Sequence, residues 1–420
     1  MMPNPDLLEH SKQFEKQIIK LADGFWSAIG FAASNVHMIE GKSSVTIVDT
    51  TESTKAAKNI LAEFQKICAK PIGRIIYTHS HRDHISGATI FAPNLDIPII
   101  ASNIFKSDLI DLDSSNIAPN KSLNRRTQAQ FGIGLQNYER ISLGCGPGDR
   151  PMEGLGAGFL PPNELISEDC DIDLDSIPAK LILAPGETDD HMVVWFPEQQ
   201  ILFCGDNWYH AFPNLYAIRG TAYRNFKTWA DSLKLLAKLN PKIMAPGHTM
   251  PIFDPKTIQE VLLSTRKAIL HVISYTSDGM DSGKSIDDIC CSINLPENLK
   301  NKPWLGEYYG KLTWAARAFA SGTLGWYDGN PTNLGTLSSK KRAQYMAQLA
   351  GSVDALSKQA EKSTDLQWRL ELCDHLIALQ YPAQNLKAET MTKLAQDEIN
   401  ATARNTYLWE AKQILRNLKK

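Results

Sequence analysis

Residues 78–84 read THSHRDH and continue from the stretch RIIYT at residues 74–78, which predicts a buried β-strand. Histidines at positions i and i+2 can point together from an extended segment onto one metal ion. The aspartate and the last histidine then begin a predicted helix, where they can face a second ion. A solvated histidine-rich turn is the alternative, but three imidazoles and a carboxylate after a strand favour a metal site. The candidate ligands in this segment are His79, His81, Asp83 and His84.

Three more candidate ligands stand at predicted junctions between strands and loops. One precedes the predicted strand 192–196, one follows the strand 201–204 in a Cys-Gly-Asp sequence, and one follows the apolar pair 243–244. Sheets commonly present side chains to a cleft at such junctions. Because these residues follow the histidine-rich segment in this order, we predict a two-metal site completed by His191, Asp206 and His248.

The chain has 420 residues, 43% of them hydrophobic, and this length predicts two or three domains. Its 44 basic and 46 acidic residues give a formal net charge of -2. Because there is no long run of lysine or arginine, we expect neither nucleic acid nor an anionic membrane surface as a partner. A small anionic substrate stays compatible with this balance, since a few arginines in a pocket barely alter the net charge.

The seven cysteines are odd in number and form no C-x-x-C pair, which is typical of reduced thiols in the cytosol. The first 20 residues carry charges and no apolar signal segment. No apolar run reaches the length of about 18 residues that a membrane-spanning helix needs. We therefore expect a cytoplasmic protein without a membrane span.

Short β-branched runs alternate with amphipathic stretches over the first 250 or so residues, which predicts a layered α+β domain. Glycines between residues 123 and 160 predict a long loop with little regular structure. After Asp254 the pattern becomes helical, so we divide the chain into domains 1–254 and 255–420. The predicted strands of the first part are 45–49, 74–78, 98–101, 179–184, 192–196 and 200–204, with a helix over 51–69. The predicted helices of the second part are 255–278, 285–293, 309–319, 338–360, 365–380 and 388–418.

The candidate ligands resemble the metal-binding set of the metallo-β-lactamase superfamily, and the resemblance covers essentially all of residues 20–252. It implies an αββα sandwich. Imidazole and carboxylate ligands suit two Zn²⁺ ions, although iron or manganese could occupy such a site. Flavo-diiron relatives have a glutamate at the position of His81, which argues against an oxygen-reducing role. Carried over by position, the first metal would be held by His79, His81 and His191, the second by Asp83, His84 and His248, and Asp206 would bridge them.

Outside these ligands the chain resembles the alkyl sulfatase family, the linear alkyl- and aryl-sulfatases of this fold. The most distinctive matching stretch is LGWYDGNPTNL at residues 324–334, which lies outside the predicted metal domain. In that family the helical region is a dimerisation domain, so the resemblance implies a homodimer formed through the C-terminal helices. The other matching stretches are 21–24, 34–35, 78–81, 124–126, 206–207, 214–220 and 308–310.

The resemblance implies a metal-dependent hydrolase that cleaves a small anionic or amphiphilic sulfate ester with a hydroxide bridging the two metals. The metal pair would lower the pKa of that water, and Asp83 would assist its attack. Guanidinium groups match sulfate oxygens bidentately, although a structural ion pair is the alternative interpretation for each arginine. The predicted substrate-binding residues are Arg125, Arg126, Asn214, Arg219, Tyr309 and Arg317.

Several features depart from the alkyl sulfatase pattern. His191 and Asp206 stand where the family usually has glutamates, and Trp314 stands where it typically has a histidine near the substrate. We therefore take His210 as the candidate that assists departure of the leaving group. The chain also ends without the sterol-carrier-like domain of full-length members, which weakens the expectation of long-chain substrates.

Two other functions stay open at this point. The same metal site could serve another hydrolase of this fold, acting on a β-lactam, lactone, thioester or phosphoester. Alternatively, the chain could be a non-catalytic helical interaction protein with a vestigial metal domain. The full set of seven candidate ligands argues against the second function, because a disused site has no chemical reason to keep them.

Overall fold

The structure is a computed structural model that describes residues 3–94, 96–107 and 120–419. Within these ranges the chain forms two β-sheets and a large set of helices. The strands are β1 (Gln17–Ala22), β2 (Phe25–Ile29), β3 (Val36–Glu40), β4 (Val45–Val48), β5 (Ile72–Ile76), β6 (Ile99–Ser102), β7 (Glu164–Ile166), β8 (Cys170–Asp173), β9 (Pro178–Leu183), β10 (Met192–Phe196), β11 (Ile201–Gly205) and β12 (Ile243–Pro246). The helices are α1 (Pro5–His10), α2 (Thr54–Ile67), α3 (Arg82–Ile85), α4 (Ala88–Phe91), α5 (Asn120–Gln130), α6 (Phe226–Lys238), α7 (Pro255–Asp281), α8 (Ile286–Ser292), α9 (Glu297–Lys300), α10 (Leu312–Leu324), α11 (Ser339–Leu349), α12 (Val353–Lys362), α13 (Leu366–Ala378), α14 (Gln384–Asp397) and α15 (Ala401–Leu418), with 3₁₀ helices at Ser11–Phe14, Pro303–Leu305 and Pro331–Leu334.

The first sheet contains β1 to β7 side by side in chain order. Strands β1 to β4 are antiparallel, and β4 to β7 are parallel. The second sheet has the order β12-β11-β10-β9-β8, with only the β11–β12 pair parallel. Both faces of β10 and β11 are buried, which explains why they are continuous apolar runs rather than alternating ones.

The two sheets pack face to face and helices cover their outer faces. Apolar side chains of both sheets, such as Phe25 and Phe203, meet in one buried cluster between them. A second cluster joins the outer face of the first sheet to α2 and α4. A third joins the outer face of the second sheet to α6, α7, α8 and α10. The predicted αββα sandwich and the helical region after it are confirmed.

The predicted glycine-rich loop was wrong at its beginning. Residues 120–130 form α5, and the first glycine of the region, Gly132 with φ of 59°, lies just after the helix ends. Two long predicted helices are each divided in the structure. Gly351 takes φ of 94° and separates α11 from α12. Asn400 caps α15 by accepting a hydrogen bond from the Ala403 amide, so the predicted helix 388–418 is two helices.

The long helix α7 begins at the predicted domain boundary and packs on α6. Its side chains Ile258, Val261 and Leu262 belong to the same buried cluster as Trp229 and Leu233 of α6. The first helix after the boundary therefore shares a core with the second sheet, and the division at residue 255 stays a prediction. In the part of the chain that the structure describes, no helix is long and apolar enough to cross a membrane.

Candidate metal centre

The candidate ligands lie where strands of both sheets end at one edge of the sandwich. The histidine-rich segment follows β5 of the first sheet and runs into the four-residue helix α3. The other three candidates lie directly before β10, directly after β11 and just after β12 of the second sheet. The Met192 amide donates a 2.8 Å hydrogen bond to the Thr78 carbonyl and joins the two sheets at this point. The strand ends that carry the candidate ligands therefore lie next to one another at this edge.

A first group of ligand atoms comes from His79, His81 and Asp206, whose ligand atoms all lie within 4.8 Å of one another. The Nε2 atom of His79 is 3.0 Å from Nδ1 of His81 and 3.7 Å from Oδ2 of Asp206. Two imidazoles and one carboxylate at this spacing form the donor set that Zn²⁺ and similar ions bind. A ring nitrogen of each histidine in the i, i+2 pair therefore lies close to the other.

A second group comes from Asp83, His84 and His248, again within 4.8 Å. Oδ2 of Asp83 lies 3.7 Å from Nε2 of His84 and 3.4 Å from Nε2 of His248. Asp206 contacts this group too, with Oδ1 3.3 Å from His84 and Oδ2 3.1 Å from His248. Asp206 therefore contacts both groups of candidate ligands.

Two buried atoms of the centre have no hydrogen-bond partner, namely Nε2 of His84 and Oδ1 of Asp206. Buried polar atoms are rarely left without a partner, because desolvation without a compensating bond is costly. A cation coordinated by both atoms would satisfy them. The residues therefore fit a metal pair.

Two glycines allow this close packing. A side chain on Gly205, which has φ of 50°, would place Cβ 2.6 Å from Nε2 of His191. A side chain on Gly247 would place Cβ 2.4 Å from Oδ1 of Asp206. Each glycine is next in sequence to a candidate ligand, so the backbone approaches the centre as closely as sterics permit.

His191 enters the site in a different way from the other candidates. Its ring stacks on that of His79, with the ring centroids 4.9 Å apart. Its Nε2 accepts a 3.0 Å hydrogen bond from the Asp206 amide, and its Nδ1 lies 3.2 Å from Nδ2 of Asn207. Both ring nitrogens thus face protein groups, and the role of His191 as a metal ligand stays a prediction.

Asp49 supports the centre from behind and was missed by the sequence analysis. It lies just after β4 with φ of 60°. Its Oδ1 accepts from the Thr78 amide at 2.8 Å, and its Oδ2 lies 2.7 Å from Nδ1 of His84. His248 is held similarly, with Nδ1 2.7 Å from the Ala33 carbonyl oxygen. Such bonds would leave Nε2 of each of these two rings available to bind a metal ion.

The charges of the centre divide its histidines into two kinds. Burial lowers the pKa of His79 and His81 well below the usual value, which keeps these imidazoles neutral. Burial acts in the same direction on His84 and His248, but the nearby carboxylates together outweigh it, with Asp206 the largest of them and Asp83 contributing to both. The pKa of His84 is raised well above its usual value, and that of His248 is raised to about 9. The protons on the His84 and His248 rings balance the negative charge of Asp206. A bound cation would take over this role, and the two rings would lose these protons.

A buried ion pair beside the metal groups was also missed. Oε1 of Glu187 lies 2.7 Å from Nη1 of Arg224 and 3.8 Å from Nδ1 of His81. The Tyr209 hydroxyl donates a 3.2 Å hydrogen bond to Oε2 of Glu187, and the Asn214 amide donates to that hydroxyl at 2.7 Å. Glu187 is only four residues before His191, and that proximity was the available signal in the sequence.

Two of the predicted substrate residues, Asn214 and Tyr309, lie beside this ion pair. Asn214 is buried, and its carbonyl accepts a hydrogen bond from Arg224. Tyr309 is buried with its ring 5.6 Å from that of Tyr209. Arg219 is half-buried, and burial and then the positive charge of Arg224 lower the pKa of its guanidinium. After burial, the charges of Arg224 and Arg219 are the largest influences that lower the pKa of His81. Arg224 is linked to His81 through Glu187.

The structure does not bring the other predicted arginines to the ligand atoms. Arg125 is 63% exposed and forms a 2.7 Å ion pair with Glu410. Arg317 is exposed and forms a 2.5 Å ion pair with Asp287. Arg126 lines a cavity of about 380 Å³ together with Arg125. Structural ion pairs thus account for Arg125 and Arg317, and the substrate role of all three stays a prediction.

His210 contacts aromatic neighbours. Its ring centroid is 6.1 Å from that of His10 and 6.2 Å from that of Trp208. Its carbonyl oxygen is 2.6 Å from Nε2 of His10, and burial lowers the pKa of its own ring. Nδ1 of His210 is buried without a hydrogen-bond partner. Its part in leaving-group departure stays a prediction.

Comparison with known proteins agrees with this geometry. Residues 29–248 match the sequence family described as the metallo-beta-lactamase superfamily, and residues 285–417 match the family described as alkyl sulfatase dimerisation. A linear primary-alkylsulfatase of Pseudomonas sp. is 29% identical over 90% of this chain and 73% of its own length. The alkyl/aryl-sulfatase BDS1 of Saccharomyces cerevisiae is 27% identical over 96% of this chain, which spans 64% of that relative.

A solved structure shows the same likeness in three dimensions. A double mutant of the sec-alkyl sulfatase PisA1 superposes with a TM-score of 0.89 at 25% identity, covering 98% of this chain and 68% of the other. The match to the first of the two families extends over more than half of the chain and includes all seven candidate ligands. On its sequence, its sandwich and its ligand geometry, the chain belongs to the metallo-beta-lactamase superfamily.

Proposed function

We propose that this protein hydrolyses sulfate esters at a centre that holds two metal ions. The observation that carries the proposal is the buried guanidinium of Arg224, which pairs with Glu187 beside the candidate ligand His81. The side chain of Arg219 is half-buried, and burial and then the charge of Arg224 lower the pKa of its guanidinium. Both Nε and Nη2 of Arg224 are buried without a hydrogen-bond partner. Guanidinium groups bind the oxygens of planar and tetrahedral anions through paired hydrogen bonds. A substrate with an anionic head group fits this environment better than a neutral one.

The names of the relatives support the same substrate class. The bacterial relative is a linear primary-alkylsulfatase, and the yeast relative is an alkyl/aryl-sulfatase. The motif at residues 324–334 lies in the region that matches the alkyl sulfatase dimerisation family. Similarity of this kind suggests sulfate monoesters with an alkyl or aryl group, and it leaves the length of that group open.

The ligands proposed for the two ions are the residues whose atoms converge. His79, His81 and Asp206 would hold one ion, and Asp83, His84 and His248 would hold the other with Asp206 shared. Four imidazoles and two carboxylates suit Zn²⁺, with iron or manganese as alternatives. Ions bound there would supply a water of lowered pKa and would counter negative charge in the transition state.

Side chains of the protein would accept a proton from the attacking water and hold the substrate. The Asp83 side chain is 29% exposed, whereas those of His84 and Asp206 are buried. Water therefore reaches Asp83 most easily, and we assign it the role of accepting a proton from the attacking water. Arg219 and Arg224 would hold the sulfate oxygens, and their positive charges would stabilise the negative charge of the sulfate group in the transition state.

We also propose a homodimer and a cytoplasmic location. The homodimer is supported by the match of residues 285–417 to the dimerisation family. The location is supported by the cysteines, since all seven are free thiols.

A substrate panel tests the proposed reaction. The protein, loaded with Zn²⁺, is incubated with dodecyl sulfate, 2-octyl sulfate and 4-nitrophenyl sulfate, and inorganic sulfate is quantified by ion chromatography. Parallel assays use a β-lactam, a lactone, a thioester and a phosphodiester, and the His79→Ala variant serves as a control. We expect sulfate release from at least one ester and none from the variant. Turnover confined to another ester class would assign the site to a different hydrolase of this fold.

A further inference from the structure

The loop that follows β4 supports one histidine of the second ligand group directly. Asp49 in this loop contacts Nδ1 of His84, and the Thr50 amide donates a 2.6 Å hydrogen bond to the His84 carbonyl. Further along the same loop, Glu52 is only 5% exposed although it carries a carboxylate. Acidic side chains are almost never buried so deeply without a partner. The burial of Glu52 therefore requires specific contacts.

Glu52 is paired with Arg150, which lies in the glycine-rich segment after α5. Oε1 of Glu52 is 2.6 Å from Nε of Arg150, and both side chains are buried. The same oxygen accepts a 2.9 Å hydrogen bond from the Ala33 amide. Replacing a buried ion pair by apolar side chains is often neutral for stability. Stability alone therefore gives little reason for this arrangement, and the contact with Ala33 indicates a positional role.

The backbone of Ala33 leads directly to a candidate metal ligand. Its carbonyl oxygen is 2.7 Å from Nδ1 of His248. Because a carbonyl oxygen only accepts, Nδ1 donates in this bond, and Nε2 would be the nitrogen left for a metal ion. A Cβ atom on Gly146 would lie 2.6 Å from the same carbonyl oxygen, so the glycine-rich segment also packs against Ala33. The position of this one alanine thus depends on both the ion pair and that segment.

The two residues after this alanine contact the second ligand group as well. Oγ of Ser34 donates a hydrogen bond to the Asp83 carbonyl. Nδ2 of Asn35 donates to backbone carbonyls on both sides of His248, at 2.9 and 2.8 Å. A displacement of segment 33–35 would therefore move two ligands of the second group together.

We propose that the ion pair of Glu52 with Arg150 positions His248 for the second metal ion. The inference rests on the two-metal centre proposed above and deepens it. Glu52 acts through the backbone of segment 33–35, so it is a positioning residue rather than a catalytic one. The hydrogen bonds described for this segment do not reach His79 or His81. Loss of the pair should therefore weaken binding of the second ion and leave the first ion in place.

The double variant Glu52→Leu/Arg150→Met tests this role. It removes both charges together, so no uncompensated charge is buried and the fold should persist. It also takes the acceptor away from the Ala33 amide. We expect the first equivalent of Zn²⁺ to bind as in the wild type and the second about 10–100-fold more weakly, as when the partner of a ligating histidine is lost. Competition titration with a chromophoric chelator measures both affinities, and the absorption spectrum of the Co²⁺-loaded protein reports the coordination of each ion.

Arg140→Met is the matched control. Arg140 belongs to the same segment as Arg150 and is equally buried, with 7% of each residue exposed. The hydrogen bond described for its guanidinium goes to the Gly132 carbonyl. This control should bind both ions within about threefold of the wild-type affinities, because it shares no described hydrogen bond with Ala33.

Circular dichroism establishes that each variant is folded. If the double variant is unfolded, Arg150→Lys decides, because lysine keeps the charge but lacks the Nε donor that contacts Glu52. The affinity for the second ion should then fall at least about threefold. An unchanged affinity in this variant would contradict the positioning role.

The outcomes separate this inference from the proposed reaction. A folded double variant that holds both ions as tightly as the wild type would overturn it. Equal weakening of both ions, or an equal effect of Arg140→Met, would overturn it too. A wild type that binds fewer than two ions would remove the inference together with the metal pair. Selective loss of the second ion, in a protein that releases no sulfate from any ester, would support the positioning role and contradict only the proposed reaction.

Discussion

Oδ2 of Asp49 lies 2.7 Å from Nδ1 of His84, although the two residues are 35 positions apart in the chain. The same carboxylate accepts hydrogen bonds from the backbone amide and the hydroxyl of Thr78, both at 2.8 Å. Asp49 thereby ties the end of β4 to the beginning of the histidine-rich segment. It orients the His84 ring so that Nε2 points at Asp206, and it fixes the tautomer that a metal ligand needs.

Replacement of Asp49 should weaken metal binding while the ligands themselves stay in place. We expect Asp49→Asn to lower the affinity for Zn²⁺ by about 10–100-fold, because the His84 ring loses its charged partner. Competition titration with a chromophoric chelator measures the change. Asp175→Asn is a suitable control, since Asp175 also has a positive φ, 58°, but bonds to Ser43 and Ser44. Equal affinities of the Asp49 variant and the wild type would contradict this role.

The bridging position of Asp206 makes a separate prediction. Asp206→Asn should reduce the bound metal from two equivalents to one or fewer, because the carboxylate contacts both ligand groups. We expect hydrolysis to fall by at least about 100-fold, in line with a site that loses one of its ions. Elemental analysis of the folded, desalted variant gives the metal content. Two tightly held equivalents would show that Asp206 is not shared between the ions.

Arg219 and Arg125 are both predicted from the sequence to bind substrate, but their replacement should affect the KM differently. Arg219→Lys should raise the KM for a sulfate ester about 10-fold or more, because a lysine cannot reproduce the forked hydrogen bonds of a guanidinium. Arg125→Lys should change KM less than about twofold, because the Arg125–Glu410 pair is on the surface and exposed pairs contribute little. Steady-state kinetics on the two purified variants decides between them. The opposite ranking would place the anion near α5.

Gln130 is expected to act through Arg219. Its Oε1 accepts a 2.8 Å hydrogen bond from the Arg219 amide, and the whole side chain is buried. Gln130→Leu should raise KM several-fold with a smaller change in kcat, since the guanidinium loses its fixed position before chemistry begins. Gln128→Leu on the same helix is the matched control, because the hydrogen bond described for the Gln128 side chain goes to Asn124, one turn away on that helix. Equal effects of both substitutions would point to a general loss of α5 structure.

His37 predicts how stability depends on pH. It is buried, 2.7 Å from Oγ of Ser27 and stacked on Phe203, and burial lowers its pKa to about 3. The unfolded chain takes up a proton near pH 6.5, whereas the folded ring does not. Stability from this residue is therefore fully present above pH 6.5 and is lost as the pH falls toward 3, by about 2 kcal/mol at pH 5.

The non-titrating variant His37→Gln isolates this contribution. Its urea-unfolding free energy should fall less steeply between pH 7 and pH 5 than that of the wild type, by the same about 2 kcal/mol. The comparison of slopes removes the constant cost of the substitution. Parallel pH profiles for the two proteins would mean that His37 is protonated in the folded state.

Much of the fold and most of the candidate ligands could be predicted because their signals are local. A few consecutive residues are enough to identify the histidine-rich segment and the strands beside it. The same is true of the strand ends that carry Asp206 and His248. The helix breaks at Gly351 and Asn400 are local as well, and a stricter use of turn and capping signals would have found them.

The sequence by itself determined which side chains can bind metal and where strands and helices alternate, since both follow from residue type and short-range periodicity. Only the tertiary structure decided the partners of several charged groups. Arg224 pairs with Glu187 beside His81, and Arg125 forms a surface ion pair with Glu410. Asp49 contacts His84. Burial and partners far apart in sequence set the charge, the pKa and the orientation of these groups. Those quantities depend on distance in space, which no short stretch of sequence contains.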